Sequence, residues 1–74
     1  MTQAEIQFCK RTCDTATVMG IGARRYTDVA EQRFGYEWQL PSGQILGCQT
    51  RFFPDEKRAL HAACKALAEH LINL

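Results

Sequence analysis

Apolar positions along this chain change period from between three and four, to two, and back again. Ile6, Cys9, Cys13 and Ala16 recur at spacings of three, four and three, with Gln7, Lys10, Arg11 and Asp14 off that stripe, which predicts an amphipathic helix. Thr2 followed by Glu5 is a capping box that starts it, and Gly20 and Gly22 are expected to end it after a weak last turn containing Thr15, Thr17 and Val18. From Phe34 the period is two. Phe34, Tyr36, Trp38 and Leu40 alternate with Gly35, Glu37 and Gln39, the pattern of a half-buried strand. Pro41-Ser42-Gly43 is turn chemistry, and a second strand is expected over about 44–52.

The turn fixes a register in which Leu40 faces Gln44, Trp38 faces Leu46 and Tyr36 faces Cys48 on the apolar side. On the other side Gln39 faces Ile45, Glu37 faces Gly47 and Arg33 faces Arg51, leaving Glu37, Gln39, Gln49 and Arg51 in water. The segment Tyr26 to Ala30 reads either as a first, edge strand or as a short helix, because Asp28, Glu31 and Gln32 dilute its pattern. The last helix is announced by Pro54, expected in its first turn, and by Asp55 and Glu56, which suit the positive end of the helix dipole. Leu60, Cys64, Leu67, Leu71 and Leu74 form its buried stripe, Arg58, Lys65 and Glu69 lie opposite, and Ala59, Ala63 and Ala66 flank the stripe. Ile72 falls on the outer side.

These elements define an α+β fold of a single domain over residues 1–74: a three-stranded antiparallel sheet with an N-terminal and a C-terminal helix packed on one face, in the order α-β-β-β-α. Seventy-four residues bury a thin core, so Phe34, Tyr36, Trp38 and Phe52 are assigned to it in preference to a base-stacking platform. Nine Lys and Arg against eight Asp and Glu give a net charge of +1, which excludes a broadly basic, phosphate-tracking surface.

No apolar run approaches a membrane span and no leader pattern opens the chain, so a cytoplasmic protein without membrane contact is expected. Four cysteines then read as small apolar core residues and not as disulfides. Cys9 and Cys13, with Cys48 and Cys64, could meet around a metal, but they lack the tight Cys-x-x-Cys spacing of zinc sites, and neither metal nor cofactor is expected. Catalysis by a nucleophile requires a positioned base and an orienting group. No such set is legible, and His61 and His70 sit on opposite flanks of the last helix, so the chain is read as a non-enzyme.

The run Ala62-Ala63-Cys64-Lys65-Ala66-Leu67, following a strand, a Gly turn and a strand, resembles the last helix of the double-stranded-RNA-binding domain. The resemblance implies helix, three strands, helix, and a contact with RNA across its minor groove. Two departures accompany it. Asp55-Glu56-Lys57-Arg58-Ala59 stands where that family carries a phosphate-binding lysine cluster, and Glu31-Gln32-Arg33-Phe34 stands where it carries a Gly-Pro-x-His loop.

The charged feature with the clearest placement is an arginine patch. Arg33 and Arg51 are expected to be cross-strand neighbours, Lys57 and Arg58 follow the hairpin, and Arg24 and Arg25 extend the patch if the first strand forms. Six arginines against three lysines suit bidentate contacts to carboxylates or phosphates. The expected function is therefore that of a small protein-binding regulator or inhibitor, of the kind carried by phages and mobile elements. The alternative is a weak nucleic-acid-binding domain that uses the same patch. A monomer or a homodimer paired through its edge strand or Ile72 fits either reading.

Overall fold

The computed structural model describes residues 1–47 and 52–73. Helix α1 spans Gln3–Val18, strands β1, β2 and β3 span Gly22–Asp28, Arg33–Gln39 and Ile45–Gly47, and helix α2 spans Glu56–Ile72. The strands form one antiparallel sheet in the order β1-β2-β3, and both helices lie over one face of it. The expected α-β-β-β-α architecture is the one observed.

Each boundary has a local cause. Thr2 accepts from the Glu5 backbone N–H at 3.2 Å while the Glu5 carboxylate accepts from the Thr2 N–H at 2.8 Å, so the capping box satisfies two orphan donors. That bond to Thr2 holds the Glu5 carboxyl below its ordinary pKa. At the other end Gly20 takes φ +72°, a conformation open to glycine, and turns the chain so that Ile21 donates back to the Ala16 carbonyl at 2.9 Å. Gly22 is therefore the first residue of β1 and not part of the helix stop. The first strand begins four residues before the expected Tyr26, because β1 pairs with β2 along its whole length, from Gly22 opposite Gln39 to Asp28 opposite Arg33. The intervening turn is capped by Asp28, whose side chain accepts from the Glu31 N–H.

The second hairpin keeps the register expected near its turn: Trp38 pairs with Leu46, Gln39 with Ile45 and Glu37 with Gly47, and Leu40 donates to the Gln44 carbonyl. The expected pairs of Tyr36 with Cys48 and of Arg33 with Arg51 lie outside the described residues. Beyond Gly47, Phe34 exchanges two 2.8 Å backbone bonds with Phe53, three residues further along the chain than the turn register would give. Pro54 lies one residue before the N-cap and not in the first helical turn, since Asp55 is the N-cap and accepts from the Lys57 N–H at 2.9 Å.

The core is the roofed side of β2. Trp38, only 3% exposed, packs with Leu40, Ile21, Cys9, Ala16, Ala63, Cys64 and Leu67. Its indole N–H donates to the Ala63 carbonyl at 2.8 Å, which requires the sheet to approach the helix backbone closely. Ala59 and Ala63, expected only to flank the stripe, permit that approach and are fully enclosed, whereas Leu60 and Leu71 are half-buried. α1 rests mainly on α2. Its buried line is Cys9, Thr12 and Ala16, so Ile6 is 43% exposed instead of core. Thr12 can be buried because its hydroxyl donates to the Phe8 carbonyl at 2.9 Å.

Candidate functional site: the open face of the sheet

On the face of the sheet away from the helices Gln39 is exposed, as expected, and Gln49 and Arg51 lie outside the described residues, but Glu37 does not have the wet position expected for it. Glu37 is 3% exposed there. A carboxylate in the middle of a central strand needs partners before it can leave water. The neighbouring edge strand supplies them: Tyr26 donates its hydroxyl to Glu37 Oε1 at 2.6 Å, and Arg24 Nη1 lies 3.5 Å from the same oxygen. Arg24 and Tyr26 reach Glu37 because alternate residues of β1 share a face and Arg24 is the Cα partner of Glu37. The Tyr26 phenol is pushed above the ordinary tyrosine range by that bond, with partial burial adding to it.

Across β2 the opposite wall of Glu37 is β3. Gly47 is its Cα partner and takes φ +120°. A Cβ there would stand 2.7 Å from the Tyr36 carbonyl oxygen and 2.9 Å from Glu37 Cα, so only glycine lets β3 come this close. Ile45 and Phe52 complete a cleft of about 370 Å³ with Arg24, Tyr26 and Glu37. Phe52 was expected in the core. It is 36% exposed on this outer side, because Phe53, paired with Phe34, takes the position that continues the hairpin. Arg33 lies with its guanidinium carbon 4.5 Å from the centroid of the Phe52 ring, in cation–π contact.

The five described cations of the expected patch are thus not one patch. Arg24 and Arg33 stand on the open face. Arg25, adjacent in sequence to Arg24, points to the helix side, where it binds Glu56 Oε1 at 2.7 Å, and Tyr36 donates to the same oxygen at 3.2 Å. Lys57 and Arg58 are exposed on the first turns of α2, and Arg58 lines a separate cleft of about 510 Å³ with Glu5, Phe53, Asp55, His61 and Lys65. Arg51 lies outside the described residues. In that second cleft His61 Nε2 lies 3.6 Å from Glu5 Oε2, and its ring meets Phe8 edge-on with centroids 5.9 Å apart.

Sequence reasoning placed Glu37 and Ile45 on this side of the hairpin but missed Tyr26 and Phe52 as their neighbours, and left Glu37 in water. The available signal was an acid at the centre of an aromatic strand, Glu37 between Tyr36 and Trp38, which requires a donor from a neighbour. Cys9, Cys13 and Cys64 are free thiols near the contact between the helices, with Cys64 Sγ 3.9 Å from the Cys9 carbonyl; Cys48 lies outside the described residues. Burial pushes the Cys64 and Cys9 thiols up, which keeps them neutral and suits a packing role. Among the described residues no three His, Cys, Asp or Glu side chains are grouped to hold a metal, and no helix is long and apolar enough to cross a membrane.

What this arrangement offers chemically is recognition: two arginines, two partly exposed aromatic rings and an aliphatic side chain on the face that holds a buried carboxylate bonded by Tyr26. No protein-family model, no curated protein and no solved structure matches the chain significantly.

Proposed function

We propose that the chain is a protein-binding module, a small cytoplasmic regulator or inhibitor that acts through the open face of its sheet and not by catalysis. The observation that carries this reading is the composition of that face. Arginine and aromatic side chains held in place by packing are what protein interfaces concentrate at their energetic centres. Here Arg33 is stacked on Phe52, and Tyr26 is anchored by Glu37. The guanidinium groups of Arg24 and Arg33 suit a partner that presents carboxylates.

Two observations weigh against double-stranded RNA, the ligand of the family that the last helix resembles. The start of α2, where phosphate would approach, is occupied by the carboxylate of Asp55 as N-cap, and Glu56 is engaged by Arg25 and Tyr36. A second reading, single-stranded nucleic acid stacked on Tyr26 and Phe52, is favoured by the exposure of both rings beside arginines.

Affinity capture with the wild-type chain and with two variants tests the proposal. A partner retained by the K57A/R58A variant and lost by the R33A/F52A variant is the expected result. Capture indifferent to R33A/F52A would overturn the assignment of the face. A gel shift with single-stranded DNA or RNA, abolished by R33A/F52A and falling steeply with salt, would transfer the function to the second reading.

A further inference from the structure

β1 is an edge of the sheet, and among the described residues no strand pairs with its outer side. All seven residues from Gly22 to Asp28 are exposed, and β2 occupies only one of its two sides. The strand contains no proline and pairs with β2 without interruption. Natural edges of this length are ordinarily blunted or covered, and an uncovered one is a template for another strand.

The charges on this strand restrict which strand can pair. On its outer face β1 presents Arg24, Tyr26 and Asp28 at alternate positions. An antiparallel copy centred on Tyr26 places Tyr26 against Tyr26 of the second molecule, and Arg24 against Asp28 twice over, once on each side of the two-fold axis. Arg25 then meets Thr27 on the helix side. Moving the centre one residue back would set Arg25 against its own copy, like charges directly opposed, and moving it one residue forward would leave Arg24 against Ala30 without a counter-charge. One register is therefore self-complementary.

The groups needed are available. Arg24 is 65% exposed and its contact with Glu37 is long, at 3.5 Å. Asp28 uses Oδ1 for the Glu31 N–H and keeps its second oxygen for an incoming cation. We propose that the chain forms a two-fold homodimer by antiparallel pairing of β1 with β1 about Tyr26, joining two three-stranded sheets into one of six strands. The dimer sets the two open faces side by side and engages Arg24, which also borders the open-face cleft, whereas Asp28 and the strand edge lie outside that cleft.

The test is sedimentation equilibrium of the full chain from about 1 µM to about 1 mM, a range that spans weak to moderate dimers. Wild type is expected to show a concentration-dependent dimer. R24D and D28R each replace two attractive pairs by two repulsive ones and are expected to weaken it roughly thirty-fold. Mixed in equal amounts, the two variants are expected to associate at wild-type strength, because every arginine at these positions then faces an aspartate. Circular dichroism and Trp38 emission verify that each variant is folded. If either charge reversal does not fold, R24Q and D28N carry the same test with a smaller loss, about five-fold. A wild-type monomer throughout the range, a dimer unaffected by these variants, or a mixture no stronger than its components would overturn the proposal. R33A/F52A, which removes the open-face contacts, is expected to leave the dimer intact.

Discussion

Gly47 is the residue at which the geometry of the open face can be tested most sharply, since alanine there meets two separable obstacles. One is conformational: at φ +120° a side chain is strained by about 1–3 kcal/mol. The other is steric. The added Cβ would lie 2.7 Å from the Tyr36 oxygen and 2.9 Å from Glu37 Cα, both backbone atoms of a strand hydrogen-bonded on either side, which cannot move aside as a flexible side chain would. Overpacking of this kind costs a further ~1–3 kcal/mol, so G47A is expected to lose about 4 kcal/mol. For a chain of this length the whole stability is about 4–11 kcal/mol, and a thin core places it toward the lower end. G43A isolates the conformational part, because Gly43 has φ +93° but open space around its missing Cβ; about 1–2 kcal/mol is expected. G22A meets neither obstacle and should be neutral or gain ~0.5 kcal/mol. Urea titration followed by the emission of Trp38, the only tryptophan, gives all three values. The reasoning is refuted if G47A falls within about 0.5 kcal/mol of G43A, a difference that such titrations resolve.

Three further outcomes are expected. In an alkaline titration read at the phenolate absorbance band, both tyrosines should ionise above their ordinary range: Tyr26 because it donates to Glu37, Tyr36 chiefly because it is partly buried. A raised phenol pKa favours the protonated, folded form, so the contribution is complete below the ordinary tyrosine value and is lost as pH rises through the raised one; E37Q should move Tyr26 back toward the ordinary value, and no change on that substitution would count against the bond. The Cys64 thiol, fully enclosed and pushed up by burial, should react with a thiol reagent only as fast as the chain unfolds, while Cys13, partly exposed, reacts faster than Cys64; equal rates of the two in the native state would contradict the packing. W38F should destabilise by about 2–3 kcal/mol, combining a lost indole hydrogen bond with a partly filled void, and Trp38 should resist an aqueous quencher in the wild-type chain; a destabilisation under 1 kcal/mol would show that the indole is not seated as described.

Much of the site was illegible in sequence for one reason: a strand's own pattern says which residues share a face, but not what its neighbour brings to that face. Arg24 and Arg25 look like one basic pair in the sequence. The pleat separates them, sending Arg24 to Glu37 and Arg25 to Glu56. Glu37 looks like an ordinary solvated acid until β1 sets Tyr26 beside it. Phe52 followed the aromatic pattern into the core, and the shift to Phe53 in the pairing with Phe34 placed it outside.

Local chemistry, by contrast, was written in the residues themselves. The Thr2–Glu5 capping box, the period-two run ending at Leu40, the turn at Pro41-Ser42-Gly43 and the dipole-matched start of α2 each involve groups a few residues apart, so short-range sterics and hydrogen bonding fix them before any distant contact forms. The order and class of the elements followed. The tertiary structure decided which strand lies beside Glu37, how closely α2 approaches Trp38 through Ala59 and Ala63, and that β1 lies at an edge of the sheet. Those outcomes depend on long-range pairing and on the volume available between packed layers, and no periodicity within a single segment encodes either.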